Sequence, residues 1–157
     1  MAQQLWFLRH GEAVPHGARA DSDRELTPRG ERQSRFAGRA LARLGIEFDA
    51  CYTSPKVRAR DTAALACEEL GVSFEAASPL AGGFGVDDLR EILHAHDGDA
   101  RLLMVGHNPD LEQVVHDLTG GRVELKKGGV AAVRLDGGSG LLLVLLRPRE
   151  LESLGAE

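Results

Sequence analysis

The sequence is poor in cysteine, in long apolar runs and in clustered positive charge. Cys51 and Cys67 are the only cysteines among 157 residues, and no pair or quartet has metal-ligand spacing. A zinc centre is therefore not expected, and both thiols read as core filler in a reducing compartment. The first apolar run, Leu5–Leu8, is cut off by Arg9, too early for the core of a secretion signal. Leu141–Leu146 is apolar but far short of a membrane span. The formal net charge is −5 and no long Lys/Arg run exists, which argues against a nucleic-acid binder. There is no internal repeat and no low-complexity block. A soluble, cytoplasmic protein without a cofactor is the expectation.

A chain of this length suits one domain, able to bury roughly 70% of the surface its unfolded state exposes. Leu5–Leu8 reads as a buried strand and residues 13–25 as a polar loop. Thr27-Pro28 has the form of a helix start, with Thr as cap and Pro in the first turn. That helix should run to Leu44, with Phe36, Ala40, Leu41 and Leu44 on its apolar face and Gly45 as its stop. Asp49–Thr53 is a second strand, and Ser54-Pro55 repeats the cap signal for a helix reaching Leu70. A strand over Val72–Ala76 and a helix over Asp87–Ala95 follow. Arg101–Val105 is a further strand, and Asn108-Pro109 opens a helix to Leu118. Val130–Leu135 and Gly140–Arg147 form a hairpin around Asp136-Gly137-Gly138-Ser139. The tail after Pro148 reads as polar and frayed.

Strands alternating with helices predict an α/β fold: a single three-layer domain, with a mostly parallel central sheet, helices on both faces and a C-terminal antiparallel hairpin. Ligands in such sheets bind beyond the carboxyl ends of the strands. Three strand ends carry chemistry. The first runs into Arg9-His10-Gly11-Glu12, the second into Ser54-Pro55 with Arg58 just beyond, and the third into Gly106-His107-Asn108-Pro109. Taken singly, each feature has a bland reading as a packed histidine, a solvated arginine or a helix cap. Together they make a cationic cluster in an acidic chain, with helix N-termini and guanidinium forks suited to a dianion such as a phosphoryl group. No carboxylate stands at metal-ligand spacing from either histidine, so a metal is not expected.

These residues resemble a known pattern. Leu8-Arg9-His10-Gly11-Glu12 is similar to the RHG signature of the histidine phosphatase superfamily, the phosphoglycerate-mutase-like enzymes. Leu26-Thr27-Pro28-Arg29-Gly30 resembles its LTxxG helix start. The run from Ser54-Pro55 through Arg58 to Thr62 resembles its SPxxRxxxT segment, and Val105–Pro109 its second-histidine motif. The short chain and the HNP form most resemble the SixA-type branch of small phosphohistidine phosphatases. The resemblance implies a histidine phosphatase domain over residues 1–150, with residues 151–157 as a tail. It implies that His10 is the phosphorylated nucleophile and that Arg9, Arg58 and His107, with Asn108 beside them, hold the phosphoryl oxygens.

A neutral imidazole can attack phosphorus and later leave. Two arginines and a protonated histidine can balance the transition-state charge without magnesium. Nearby cations should keep His10 neutral. The general acid of larger relatives has no clear counterpart. Glu12, Asp21 and Asp23 are the candidates, while Asp87 and Asp88 fit a helix start better. His16, His94, His96 and His116 read as surface residues. Lys126-Lys127-Gly128-Gly129 reads as a solvated turn, with the rim of the site as the alternative.

The expected function is hydrolysis of phosphohistidine on a protein, such as a phosphotransfer domain. The alternative is a phosphatase for a small phosphate ester by the same chemistry. A mutase, or a non-catalytic phosphoryl-binding module, fits less well.

Overall fold

The computed structural model describes residues 2–156. Its six strands are β1 (Gln4–Arg9), β2 (Ala50–Thr53), β3 (Phe74–Ala76), β4 (Arg101–Gly106), β5 (Val130–Asp136) and β6 (Ser139–Leu146). They form one sheet in the order β3-β2-β4-β1-β5-β6. The first four strands in that order are parallel, and β5 and β6 complete the sheet antiparallel. The five helices are α1 (Pro28–Arg43), α2 (Val57–Leu70), α3 (Val86–His94), α4 (Asp110–Thr119) and α5 (Pro148–Gly155).

The central strands are apolar at consecutive positions because both of their faces are covered. Along β1, Leu5 and Phe7 join Leu102 and Met104 of β4 in a core shared with Leu89 of α3 and Leu111 and Val114 of α4. Trp6 and Leu8 turn the other way, with Leu103 and Val105, into a core closed by α1, α2 and Leu151 of α5. Cys51 and Cys67 are buried free thiols in this second core.

Three local expectations are corrected. The segment after Pro148 is not a frayed tail. It forms α5, whose Leu151 is fully buried and whose Gly155 lies against the Phe36 backbone of α1. One buried apolar residue in a polar stretch is enough to seat a short helix, and a periodicity count over eight residues misses it. Leu44, just past the end of α1, is exposed, and on α1 Phe36 is only half-buried while Ala37 takes the core position. This small-residue face lets α1 and α2 approach closely, with Gly38 against the backbone of Ala66. The third strand is shorter than expected, Phe74–Ala76, and exposed along its length.

Sheet register sets the site. The β1–β4 pairing places Arg9 beside Gly106, and the β2–β4 pairing places Thr53 beside Val105. The next residues along the three chains are His10, His107 and Ser54, which therefore emerge together at one end of the sheet.

Candidate active site

Thr27 caps α1, its hydroxyl accepting from Gly30 N at 3.1 Å, with Pro28 in the first turn. Gly30 faces Gly11 backbone to backbone, and a Cβ on either would strike the other strand of chain. Both glycines are thus required by one close crossing between the end of β1 and the first turn of α1. Thr62 completes the support. Its hydroxyl accepts from Gly11 N at 3.0 Å and donates to the Arg58 carbonyl at 2.7 Å. On the other side, Gly128 N donates to the carbonyls of Arg9 and His10 at 3.0 and 3.1 Å, and Arg9 N donates to the Gly129 carbonyl at 3.1 Å. The 126–129 segment is therefore a brace for the His10 backbone, more than a solvated turn.

His10 is 6% exposed. Its Nδ1 lies 2.7 Å from the Gly11 carbonyl, so Nδ1 carries the proton and donates, and Nε2 keeps its lone pair. Burial, opposed by the Gly11 hydrogen bond and reinforced by His107, Arg58 and Arg9, pushes its pKa down to about 3. His107 stands with its ring centroid 5.1 Å from that of His10. Its Nε2 is 2.7 Å from Ser54 Oγ. That hydroxyl also accepts from Lys56 N at 3.1 Å; with its own proton donated to His107 Nε2, the ring carries its proton on Nδ1, the atom that has no protein partner. Burial first, then the charges of Arg58 and Lys56, push His107 down to about 4. In the ligand-free site the His107 ring is therefore neutral near pH 7.

Ser54 and Asn108 do not cap helices with their side chains. Ser54 orients His107. Asn108 Nδ2 donates to the Leu125 carbonyl at 2.9 Å, and Arg9 Nη1 donates to the same oxygen at 3.0 Å. Leu125 N in turn donates to Glu112 at 2.7 Å. The Leu125 carbonyl thus ties two site residues together. Sequence reasoning had no means of finding it, because a backbone oxygen leaves no residue-type signal.

Arg58 is 5% exposed. Its Nη1 donates to the Asp21 carbonyl at 2.7 Å and its Nη2 lies 3.4 Å from the Asp21 carboxylate. Lys56 at 3.0 Å and Arg24 at 3.2 Å meet the same carboxylate. The Lys56 hydrogen bond, with the nearby arginines, holds Asp21 well below the usual carboxylate range. Asp21 is thus deprotonated near neutral pH and stands as the ion-pair partner of Arg58, Lys56 and Arg24. Glu12 accepts from the Thr27 hydroxyl at 3.0 Å and meets Arg29 at 3.5 Å. Asp23 is exposed. Asp88 accepts from Gly85 N at 2.9 Å at the start of α3, as its sequence context predicts. His96 departs from expectation: it is half-buried, with Nε2 2.6 Å from the Tyr52 hydroxyl.

Among the described residues, four buried side-chain polar atoms have no hydrogen-bond partner: Arg9 Nε, Arg58 Nε, His107 Nδ1 and Asn108 Oδ1. All four belong to the residues gathered at this end of the sheet. Buried polar groups are otherwise almost always paired, so such a concentration marks a ligand position. Three of the four are nitrogen donors, which fits an oxyanion.

The model of the histidine phosphatase superfamily (branch 1) matches residues 5–82. A protein of Picosynechococcus sp. is 37% identical over 139 residues, covering 83% of this chain and 84% of its own length. The chain belongs to the histidine phosphatase superfamily. Two solved structures place this histidine phosphatase beside the SixA branch. A protein histidine phosphatase SixA complexed with tungstate superposes with a TM-score of 0.84 at 29% identity, over 94% of this chain and 99% of that one. A putative phosphohistidine phosphatase SixA from Nakamurella multipartitia gives a TM-score of 0.81 at 25% identity, over 94% and 97%. Curated mutase and Pgam5 relatives are matched over a smaller part, the chain spanning 24–36% of their length. No helix among the described residues is long and apolar enough to cross a membrane.

The two depressed histidines give this phosphatase a measurable pH signature. Between about pH 6.5 and their folded values, about 3 and about 4, the unfolded chain binds protons that the folded chain does not. More protons on the unfolded state means that stability rises with pH. The contribution is therefore present above pH 6.5 and is lost as pH falls. Each histidine should add a slope of up to about 1.4 kcal/mol per pH unit. Urea denaturation from pH 7.5 to 4.5 should show a shallower dependence in His10→Ala and His107→Ala than in wild type. Parallel curves would show that neither ring is held neutral.

Proposed function

We propose that this histidine phosphatase removes phosphate from phosphohistidine on a protein, through a phosphoryl group carried on His10 Nε2 and without a metal ion. The observation that carries this reading is the set of unpartnered buried donors on Arg9, Arg58 and His107 around a neutral His10. In the first step Nε2 attacks phosphorus, the substrate N–P bond breaks and a His10 N–P bond forms. The substrate imidazole, protonated on its other ring nitrogen from solvent, leaves as a neutral ring, and the attacking water of the second step returns that proton to solvent. In the second step water attacks phosphorus, the His10 N–P bond breaks, and inorganic phosphate leaves with His10 again neutral. The low basicity that burial imposes on His10 favours this second step, because a weakly basic nitrogen is a better leaving group. Arg9, Arg58 and His107 Nδ1–H hold the equatorial oxygens, with Asn108 fixed beside them. Covalent cations in these positions supply the charge that a metal would otherwise bring.

The phosphohistidine preference rests on the missing acid. Alkoxides need a positioned proton donor to leave, whereas imidazole, with an ordinary pKa near 6.5, does not. Asp21 is committed to Lys56 and Arg58, and Glu12 to Thr27 and Arg29. The resemblance to a SixA bound to tungstate, an oxyanion, supports the same reading. The two buried thiols suit a reducing compartment such as the cytoplasm.

The test compares a phosphohistidine protein, a phosphoserine peptide and small phosphate esters, all with a chelator present. Phosphohistidine should turn over faster than phosphoserine by about 10²-fold, the lower end of what general-acid catalysis contributes. Equal rates would reveal an acid, with Glu12 and Asp23 the first to replace. A strong preference for one small ester would favour the alternative, and loss of activity to the chelator would remove metal independence.

A further inference from the structure

A groove of about 690 Å³ opens beside the phosphoryl site and shares Arg9 and Glu12 with it. Its walls come from the first turns of α1, from Lys126 and Lys127, and from the start of α5. Seven of its lining side chains are Arg or Lys and two, Glu12 and Glu152, are acidic, in a chain of formal net charge −5. The basic charge is thus gathered on one face, against the average of the molecule.

Internal pairing does not account for it. Arg29 meets Glu12 at 3.5 Å, Lys126 meets Glu124 at 2.5 Å, and Arg147 and Arg149 share one carboxylate, Glu150, at 2.9 and 3.6 Å. Arg32 and Lys127 make no ion pair among the described residues. Crowded like charges repel and add nothing to folding, so the cluster calls for an opposing charge from outside. The form of the groove points to the size of that partner. Small ligands are held in concave sites that bury most of their surface. Here the side chains of Arg29, Arg147 and Arg149 are 68%, 53% and 76% exposed. Exposed cations along an open groove act on a macromolecular surface, where complementary charge raises the encounter rate and sets register.

We propose that this groove docks an acidic surface of the phosphorylated protein, adjacent to its phosphohistidine. The inference rests on the phosphohistidine reading above and adds the character of the partner. Arg9 belongs both to the groove and to the cradle, so a chain segment lying in the groove delivers its neighbouring side chain to His10.

The test uses two phosphohistidine peptides of equal length, one flanked by Glu and one by Gln, with p-nitrophenyl phosphate as a small control. Wild type should favour the Glu peptide in kcat/KM by about 10-fold at low salt, with the preference fading at high salt. The double variant Arg32→Glu/Arg149→Glu should lose that preference while turning over p-nitrophenyl phosphate at the wild-type rate. A second measurement needs no catalysis: fluorescence anisotropy of a labelled, unphosphorylated Glu peptide, with inorganic tripolyphosphate as competitor. Binding of the Glu peptide to wild type and its loss in the double variant support the groove even if neither phosphohistidine peptide is hydrolysed; in that case only the phosphohistidine reading falls. Equal binding of Glu and Gln peptides, or retained binding in the double variant, overturns the docking proposal. Tripolyphosphate binding more tightly than the peptide, and lost in the same variant, would also overturn it in favour of a small polyanion.

Discussion

Replacing His10 by alanine is expected to leave a folded protein whose turnover has fallen by about 10⁴-fold or more, the scale on which loss of a covalent nucleophile is felt. The geometry gives the reason. Nδ1 is tied to the Gly11 carbonyl, so only Nε2 offers a lone pair, and the backbone that carries it is pinned by Gly128 N and Gly106 O. Acid quench of wild type during turnover should trap phosphate that is stable to alkali and labile to acid, a phosphoramidate on His10. The substitution removes an imidazole from a site that is polar and open to a ligand, so the fold should survive. An unchanged near-ultraviolet spectrum would check that. Phosphate trapped on Ser54 or Cys51, or a His10→Ala variant with half the wild-type rate, would end this mechanism. Because burial holds His10 neutral down to about pH 3, its protonation should not limit kcat/KM at mildly acid pH. A loss of activity near pH 6 would belong to the substrate's phosphoryl group or to another residue.

Much of this was legible in the sequence, for identifiable reasons. The alternation of buried strands and capped helices follows from local signals: Thr27-Pro28 at the start of α1, Gly71 in the left-handed conformation at the end of α2, and Gly137 in the turn of the hairpin. His10, Arg58 and His107 were legible because each follows the carboxyl end of a parallel strand, where register brings them together. What was not legible depends on contacts between distant backbones. The Leu125 carbonyl, which aligns Arg9 and Asn108, lies 116 residues from Arg9. The crossing of Gly11-Glu12 over Gly30 explains two motif glycines, Gly11 by the Gly30 backbone and Gly30 by the Glu12 backbone, yet nothing local distinguishes them from turn glycines. Ser54 and Asn108 were misread for a related reason. Each stands before a proline as a cap would, but α2 begins only at Val57 and α4 at Asp110, and the side chains turn to His107 and Leu125. A neutral His10 follows from its cationic neighbours alone, but the first cause of the depressed pKa in both site histidines is burial, which a count of charges along the sequence leaves out.

The arginine cradle gives the second large effect. Arg58→Ala should lower kcat by about 10²–10³-fold, the usual consequence of removing one preorganised charge donor from a developing oxyanion. Arg58 is buried and its Nε has no partner, so its charge is fixed in place before substrate arrives. Arg58→Lys should recover little, because an ammonium cannot both meet the Asp21 carbonyl and present a forked donor to phosphate. Arg9→Ala should behave similarly, since the Leu125 carbonyl holds only one end of its guanidinium. Vanadate, a mimic of the trigonal transition state, should inhibit wild type and bind both variants more weakly. Asp21 separates positioning from proton donation. If it only steadies Arg58 and Lys56, Asp21→Asn should reduce turnover by less than about 10-fold, and equally for phosphohistidine, aryl and alkyl substrates, because no leaving group depends on it. If it were the general acid, the same substitution would spare phosphohistidine and strike phosphoserine, and the loss would grow with the basicity of the leaving group. Near-wild-type rates in Arg9→Ala and Arg58→Ala would show that the convergence of unpartnered donors at the end of this sheet is not where phosphoryl transfer occurs.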